Sequence, residues 1–143
     1  MHLQIRKIEQ SDTQVVIELS GQLGYTPNVD QVKGSILQCE HHPDYCSFCA
    51  LSEGRVIGWI QALQTYRLES GRFAEIVGLV VDEKHRKKGV AKSLIEVVKL
   101  WARDMHHTKL RVRTNVKRLE THQFYEKLGF TEKKEQKVFE IEP

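Results

Sequence analysis

Cysteine is scarce in this chain, and so are long apolar runs and any large excess of one charge. Three cysteines stand in 143 residues, Cys39, Cys46 and Cys49. A small odd number excludes the disulfide framework that staples small secreted domains. They lie near His41 and His42, and the Cys46-Ser47-Phe48-Cys49 spacing invites a zinc reading. Yet Tyr45 to Leu51 reads as a strand, which sends Cys46 and Cys49 to opposite faces, so small buried thiols are expected and a metal site is not. No apolar run approaches the length needed to cross a bilayer, and the start, MHLQIRKIEQ, carries no apolar signal core. A soluble cytoplasmic protein with no membrane partner is the expectation. With 22 basic and 19 acidic residues the formal net charge is only +3, short of a dedicated nucleic-acid binder, and aromatic residues are not interleaved with the basic ones. A basic patch here suits a small anion better. Repeats, linkers and low-complexity stretches are also missing, so residues 1–143 read as one domain with one core.

What is present is strongly patterned. Leu3 to Ile8 alternates as a first strand, and Ser11-Asp12-Thr13-Gln14 has the form of a capping box ahead of a stripe of Val15, Val16, Leu19 and Leu23. Gly24 to Asn28 breaks that helix, and Asn28 caps a second whose apolar residues are Val32, Ile36 and Leu37. After a loop at His41 to Asp44, three strands follow as a meander: Cys46 to Leu51, Val56 to Tyr66, and Phe73 to Val81. Ala91, Leu94, Ile95, Val98, Trp101, Ala102 and Met105 then mark an amphipathic helix of about four turns. A fifth strand at Lys109 to Arg113, a helix from Leu119 to Leu128 stopped by Gly129, and a last strand through Val138, Phe139 and Ile141 complete the pattern. The helix crossover makes the third meander strand and the fifth strand parallel, and a splay between their C-terminal ends would admit an extended ligand arm.

The stretch Glu75 to Leu94, EIVGLVVDEKHRKKGVAKSL, is the centre of the chain. A buried strand runs through a glycine-containing turn into a helix start, where unpaired backbone N–H groups and the helix dipole form an anion cradle. The turn has neither the three spaced glycines of a dinucleotide fold nor the Gly-Lys-Ser/Thr of a P-loop. A diphosphate fits such a cradle, with Arg86, Lys87 and Lys88 complementing its charge unless they are simply a solvated run.

Arg86-x-x-Gly89-x-Ala91 resembles the Arg/Gln-x-x-Gly-x-Gly/Ala signature of the GCN5-related N-acetyltransferases, the GNAT superfamily. The run Asn115-Val116-Lys117-Arg118-x-x-x-His122-x-Phe124-Tyr125-x-x-x-Gly129-Phe130 resembles that superfamily's second motif, with Thr121 where alanine is common. Small aminoalkylphosphonate and other small-amine acetyltransferases look most similar. The resemblance implies an α/β fold with a mixed, mostly antiparallel sheet of six or seven strands, about four helices, and a splay between the fourth and fifth strands. It implies acetyl-CoA as cosubstrate, held by the backbone of Leu79, Val80 and Val81, by Arg86, Lys87, Lys88, Gly89, Val90 and Ala91, and by Asn115 and His122. Tyr125 is then the proton donor to the departing thiolate, and Glu75 the acceptor of the amine proton; a solvated strand-end charge is the competing reading of Glu75. Close relatives often carry a second acid three residues on, where this chain has Gly78, which points to a different acceptor or to a bulge.

The function expected is N-acetylation of a primary amine on a small molecule by direct attack, since no cysteine lies in either motif. A pocket formed by Leu23 to Lys33 and Tyr66 to Phe73, with Tyr25, Tyr66 and Arg67 as contacts, would take the acceptor. A non-catalytic CoA-binding regulator and a protein or peptide acetyltransferase are the alternatives. A homodimer is compatible with the resemblance.

Overall fold

A computed structural model of the chain describes residues 2–114 and 116–143. The elements are β1 (Gln4–Lys7), α1 (Thr13–Gly21), α2 (Val29–His41), β2 (Tyr45–Ser52), β3 (Arg55–Arg67), β4 (Gly71–Val81), α3 (Val90–Asp104), β5 (Leu110–Val112) and α4 (Leu119–Lys127). The strands form one sheet in sequence order, antiparallel from β1 to β4, with β5 parallel to β4. The α/β mixed sheet expected from the sequence is therefore present with five strands among the described residues, one or two fewer than anticipated.

The missing element is the last strand. Residues 131–143 carry no strand, and Val138, Phe139 and Ile141 are almost fully exposed. Their alternation satisfies β propensity, but a strand exists only where a neighbouring edge accepts its hydrogen bonds, and that partner is a nonlocal matter.

The N-terminal cap also differs. A single 3₁₀ turn over Gln10–Asp12 precedes α1, and the reciprocal cap uses Glu9 and Asp12 in place of Ser11 and Gln14. Asp12 is claimed by a stronger interaction: its buried carboxylate takes a two-pronged pair from Arg6 at 2.8 and 3.0 Å and the Glu9 N–H at 2.8 Å. Burial pushes its pKa up, but those donors outweigh it and hold the group below the usual carboxylate range. At α2 the expected cap is present, with the Asn28 side chain accepting from Asp30 N–H at 2.7 Å and Gln31 N–H at 3.3 Å. Val32 and Ile36 turn inward, whereas Leu37 is exposed.

Helices cover both faces of the sheet. Position 58 is glycine because a Cβ there would come within 3.3 Å of Val90 and 3.0 Å of the Val80 carbonyl, which brings α3 close on one face. Ile60, Ile76, Val90, Leu94, Ile95 and Val98 are fully buried. On the other face Ile8, Val16, Val32, Ile36 and Cys49 form a second cluster beneath α1 and α2, with Trp59 packed against it. Cys46 is in register with Ala62 and Cys49 with Trp59, so the two thiols face opposite ways. Burial pushes their pKa values to about 12 and about 11.

The contacts divide into two compact units, one ending at Val112 and one beginning at Arg113. In the second, Tyr125 stacks edge-on with Phe124 and Phe130 at 5.3 and 5.4 Å. Gly129 (φ 95°) lets the chain turn back so that the Phe130 N–H reaches the Tyr125 carbonyl at 3.0 Å.

Candidate functional site

β4 hydrogen-bonds to β3 along its whole length, but its pairing with β5 covers only Ala74 to Ile76. Beyond Ile76, peptide groups on the outer edge of β4 face away from β3 with no β5 residue opposite them. Among the described residues the parallel ladder therefore ends at Ile76 and Val112.

A bulge sits at the same place. Gln61 faces Gly78 and Ala62 faces Ile76, leaving the exposed Val77 as the extra residue. The bulge restores Glu75 and Gly78 to one face, because their partners Leu63 and Gln61 are two residues apart. Glycine at 78 has a packing reason: a Cβ there would lie 2.7 and 2.8 Å from the Trp59 ring. The indole occupies the space into which an acid would project.

The turn after β4 is held from below. Asp82 accepts from Gln22 Nε2 at 3.1 Å and meets His85 Nδ1 at 3.0 Å, while Gln22 Oε1 takes the Glu83 N–H at 2.9 Å. Arg86 Nε donates to the Val81 carbonyl at 3.3 Å. Lys87 (φ 61°) and Gly89 (φ 83°) are left-handed, and Gly89 opens α3. The first helical bond runs from Ser93 N–H to the Gly89 carbonyl, so the N–H groups of Val90, Ala91 and Lys92 precede it with no intrahelical acceptor. A Cβ on Gly89 would meet nothing within 4 Å. Exposed Lys87 and Lys88 flank this open space, and the donor set fits a diphosphate.

The other candidates are distributed unevenly. Glu75 is 8 % exposed, on the α1/α2 face, in register with Arg111 of β5. Arg67 shares that face, but Tyr66 projects to the opposite one, where its hydroxyl receives Gln64 Nε2 at 2.7 Å. Tyr25 is exposed after α1. Tyr125 is buried on α4 and His122 is half-buried one turn before it. Burial raises the Tyr125 pKa, with Arg118 opposing the shift, so the phenol stays protonated. Asn115 lies outside the described residues. Among the described residues no group of three metal-ligating side chains gathers.

Between α1, α2 and the sheet lies a cavity of about 200 Å³ bordered by Ser20, Pro27, Gln31, Ser35, Trp59 and Gln61. It shares only part of the expected acceptor segments. Trp59, Gln22, Phe73 and Arg111 were not singled out by the sequence. Alternation could place Arg111 on a strand, but its cross-strand neighbours depend on register.

Comparisons with known proteins bear on the family and the fold. The model of the acetyltransferase (GNAT) family matches residues 6–130. N-acetylaspartate synthetase of Xenopus tropicalis is 32% identical over 88 residues, 62% of this chain and 31% of that protein. Human N-acetyltransferase 8 is 32% identical over 87 residues, 59% of this chain and 38% of that protein. The chain therefore spans less than half the length of these relatives. Aminoglycoside N-acetyltransferase AAC(6')-Iy, in a structure with a bisubstrate analogue of CoA and acetylneamine, superimposes with a TM-score of 0.85 at 23% identity, covering 100% of this chain and 99% of that one. With the family model matching most of its length, the chain belongs to the acetyltransferase (GNAT) family.

Proposed function

We propose that this protein transfers the acetyl group of acetyl-CoA to a primary amine of a small molecule, by direct attack while both substrates are bound. The observation that carries the reading is a bulged strand whose pairing with its parallel neighbour ends at Ile76 and which runs on toward a glycine-opened helix start. AAC(6')-Iy binds an analogue that joins CoA to its acceptor in one molecule, which supports the cosubstrate and simultaneous occupancy.

Acetyl-CoA supplies an activated acyl group; the chain supplies position and proton traffic. The N–H groups of Val90, Ala91 and Lys92, with Lys87 and Lys88, hold the diphosphate. The outer edge of β4 from Val77 to Val81 offers backbone groups to the pantetheine arm and to the acetyl oxygen. Glu75 takes the amine proton, and Tyr125, kept neutral by burial, returns one to the thiolate. Asn115 and His122 complete the cosubstrate contacts carried over from the motif. The raised pKa values of Cys46 and Cys49 leave protonated, unreactive thiols, in keeping with attack that forms no acyl-enzyme.

Calorimetric titration with CoA, followed by thiol release from acetyl-CoA with a panel of amines, tests the reading. Acceptor-dependent release is expected, and Tyr125→Phe should lower kcat about a hundredfold while CoA binding persists. CoA binding without release for any amine would sink the enzymatic reading; no CoA binding would sink the site.

A further inference from the structure

Two arginines on the α1/α2 face converge on one ring. Arg111 Cζ lies 4.3 Å from the centroid of Phe73, and Arg67 Cζ lies 5.6 Å from it. Phe73 itself is fully buried, two residues before Glu75. Register places all four side chains on one face: Glu75 is opposite Leu63 on β3 and Arg111 on β5, Phe73 is opposite Thr65, and Arg67 is opposite Gly71. Arg72 shows the contrast. It projects to the other face, where Gln64 Oε1 at 2.6 Å and the Met105 carbonyl take its donors.

Stacking on a ring fixes a guanidinium plane while leaving its N–H edge able to grip an oxyanion. Among the described residues neither Arg67 nor Arg111 belongs to an ion pair, and both are half-buried. Two partly desolvated cations beside one ring leave a net positive field even with the Glu75 carboxylate next to them, since one negative charge cannot balance two. Such a field rejects a polycationic amine and attracts an acidic one. We infer that Arg67 and Arg111, mounted on Phe73, recognise an oxyanion on the acceptor, so that the preferred substrate is a short amine bearing a carboxylate or phosphoryl group. Arg111 stands one strand from Glu75 and Phe73 one same-face step from it, backbone spacings of roughly 5 to 7 Å that suit a short acceptor with a few bonds between amine and acid. The inference rests on the acetyltransferase reading for the identity of the ligand as an acceptor.

The test uses matched pairs, β-alanine against its amide and 2-aminoethyl phosphate against 2-aminoethanol, with neamine as a polycation. Binding is measured calorimetrically in the presence of CoA, and turnover by thiol release. The acidic member of at least one pair should bind at least tenfold more tightly, and the pair that discriminates more identifies carboxylate or phosphoryl chemistry. Arg67→Gln and Arg111→Gln should each shrink that ratio about tenfold. Lysine at either position should restore part of it, which also guards against a variant that misfolds. Arg55→Gln, at the β2–β3 turn, should leave the ratio unchanged. Equal binding within both pairs, preference for the neutral or polycationic amine, or full discrimination in both glutamine variants would overturn the inference. Because the calorimetric ratio needs no turnover, it separates failure of the arginine pair from failure of the catalytic reading.

Discussion

Gly78 is fixed by its neighbour, the Trp59 ring that lies within 2.8 Å of where a Cβ would stand. Gly78→Ala forces that indole out of a packed cluster and should destabilise the fold by about 1–3 kcal/mol in urea unfolding. In combination with Trp59→Leu the added penalty of the alanine should fall below 1 kcal/mol, roughly, since the obstructing atoms are gone. Equal penalties in both backgrounds would refute the packing explanation. Asp12 makes a similar argument with charge. Asp12→Asn removes the anion from a part-buried pair with Arg6 and should lower stability by about 1–2 kcal/mol at neutral pH. Its folded pKa is depressed, so the contribution is present above the unfolded value near 3.8 and is lost as pH falls through the lower folded value. The Asp12→Asn deficit should accordingly narrow in strongly acidic solution.

Among the elements, the junction of β4 with α3 is built from both local and distant parts. Gly89 supplies a left-handed residue that no other side chain adopts cheaply, so Gly89→Ala should destabilise the protein by about 1–2 kcal/mol and weaken CoA binding in calorimetry. Unchanged CoA affinity in a folded Gly89→Ala variant would move the diphosphate elsewhere. The distant part is Gln22, just beyond α1, which bonds both Asp82 and Glu83. Its motif-free surroundings gave no hint of this in the sequence, because a contact across 61 positions is made only by the fold.

For the molecule as a whole, the acid limb of stability carries a recognisable component from His107. Both ring nitrogens are buried without a hydrogen-bond partner among the described residues. Burial lowers the imidazole pKa, and Arg72 lowers it further, against a smaller opposing pull from Asp44. Below the unfolded value near 6.5 the unfolded chain binds this proton more readily than the folded one, so stability falls as pH decreases from there toward the folded pKa. Tm should drop between pH 7.5 and 5.5, and His107→Gln should flatten that part of the profile; an unaltered slope would assign it to other groups. Among the described residues no helix is long and apolar enough to cross a membrane.

The sequence by itself determined the features written at short range. Helical periodicity placed α3, the Asn28 side chain announced the cap of α2, alternation marked the meander, and Gly89 marked the start of α3. These follow from propensity and hydrogen-bond geometry within a few residues. Tertiary structure decided what depends on a partner. It made 131–143 a segment with no strand, because alternation cannot create an edge to pair with. It gave Gly78 its reason through Trp59, gave Asp12 to Arg6 ahead of a local cap, and separated Tyr66 from Arg67 by the two faces of one strand. It also set Arg67 and Arg111, 44 positions apart, on the same phenyl ring, since register across a sheet is fixed by the sum of its packing and not by either strand alone.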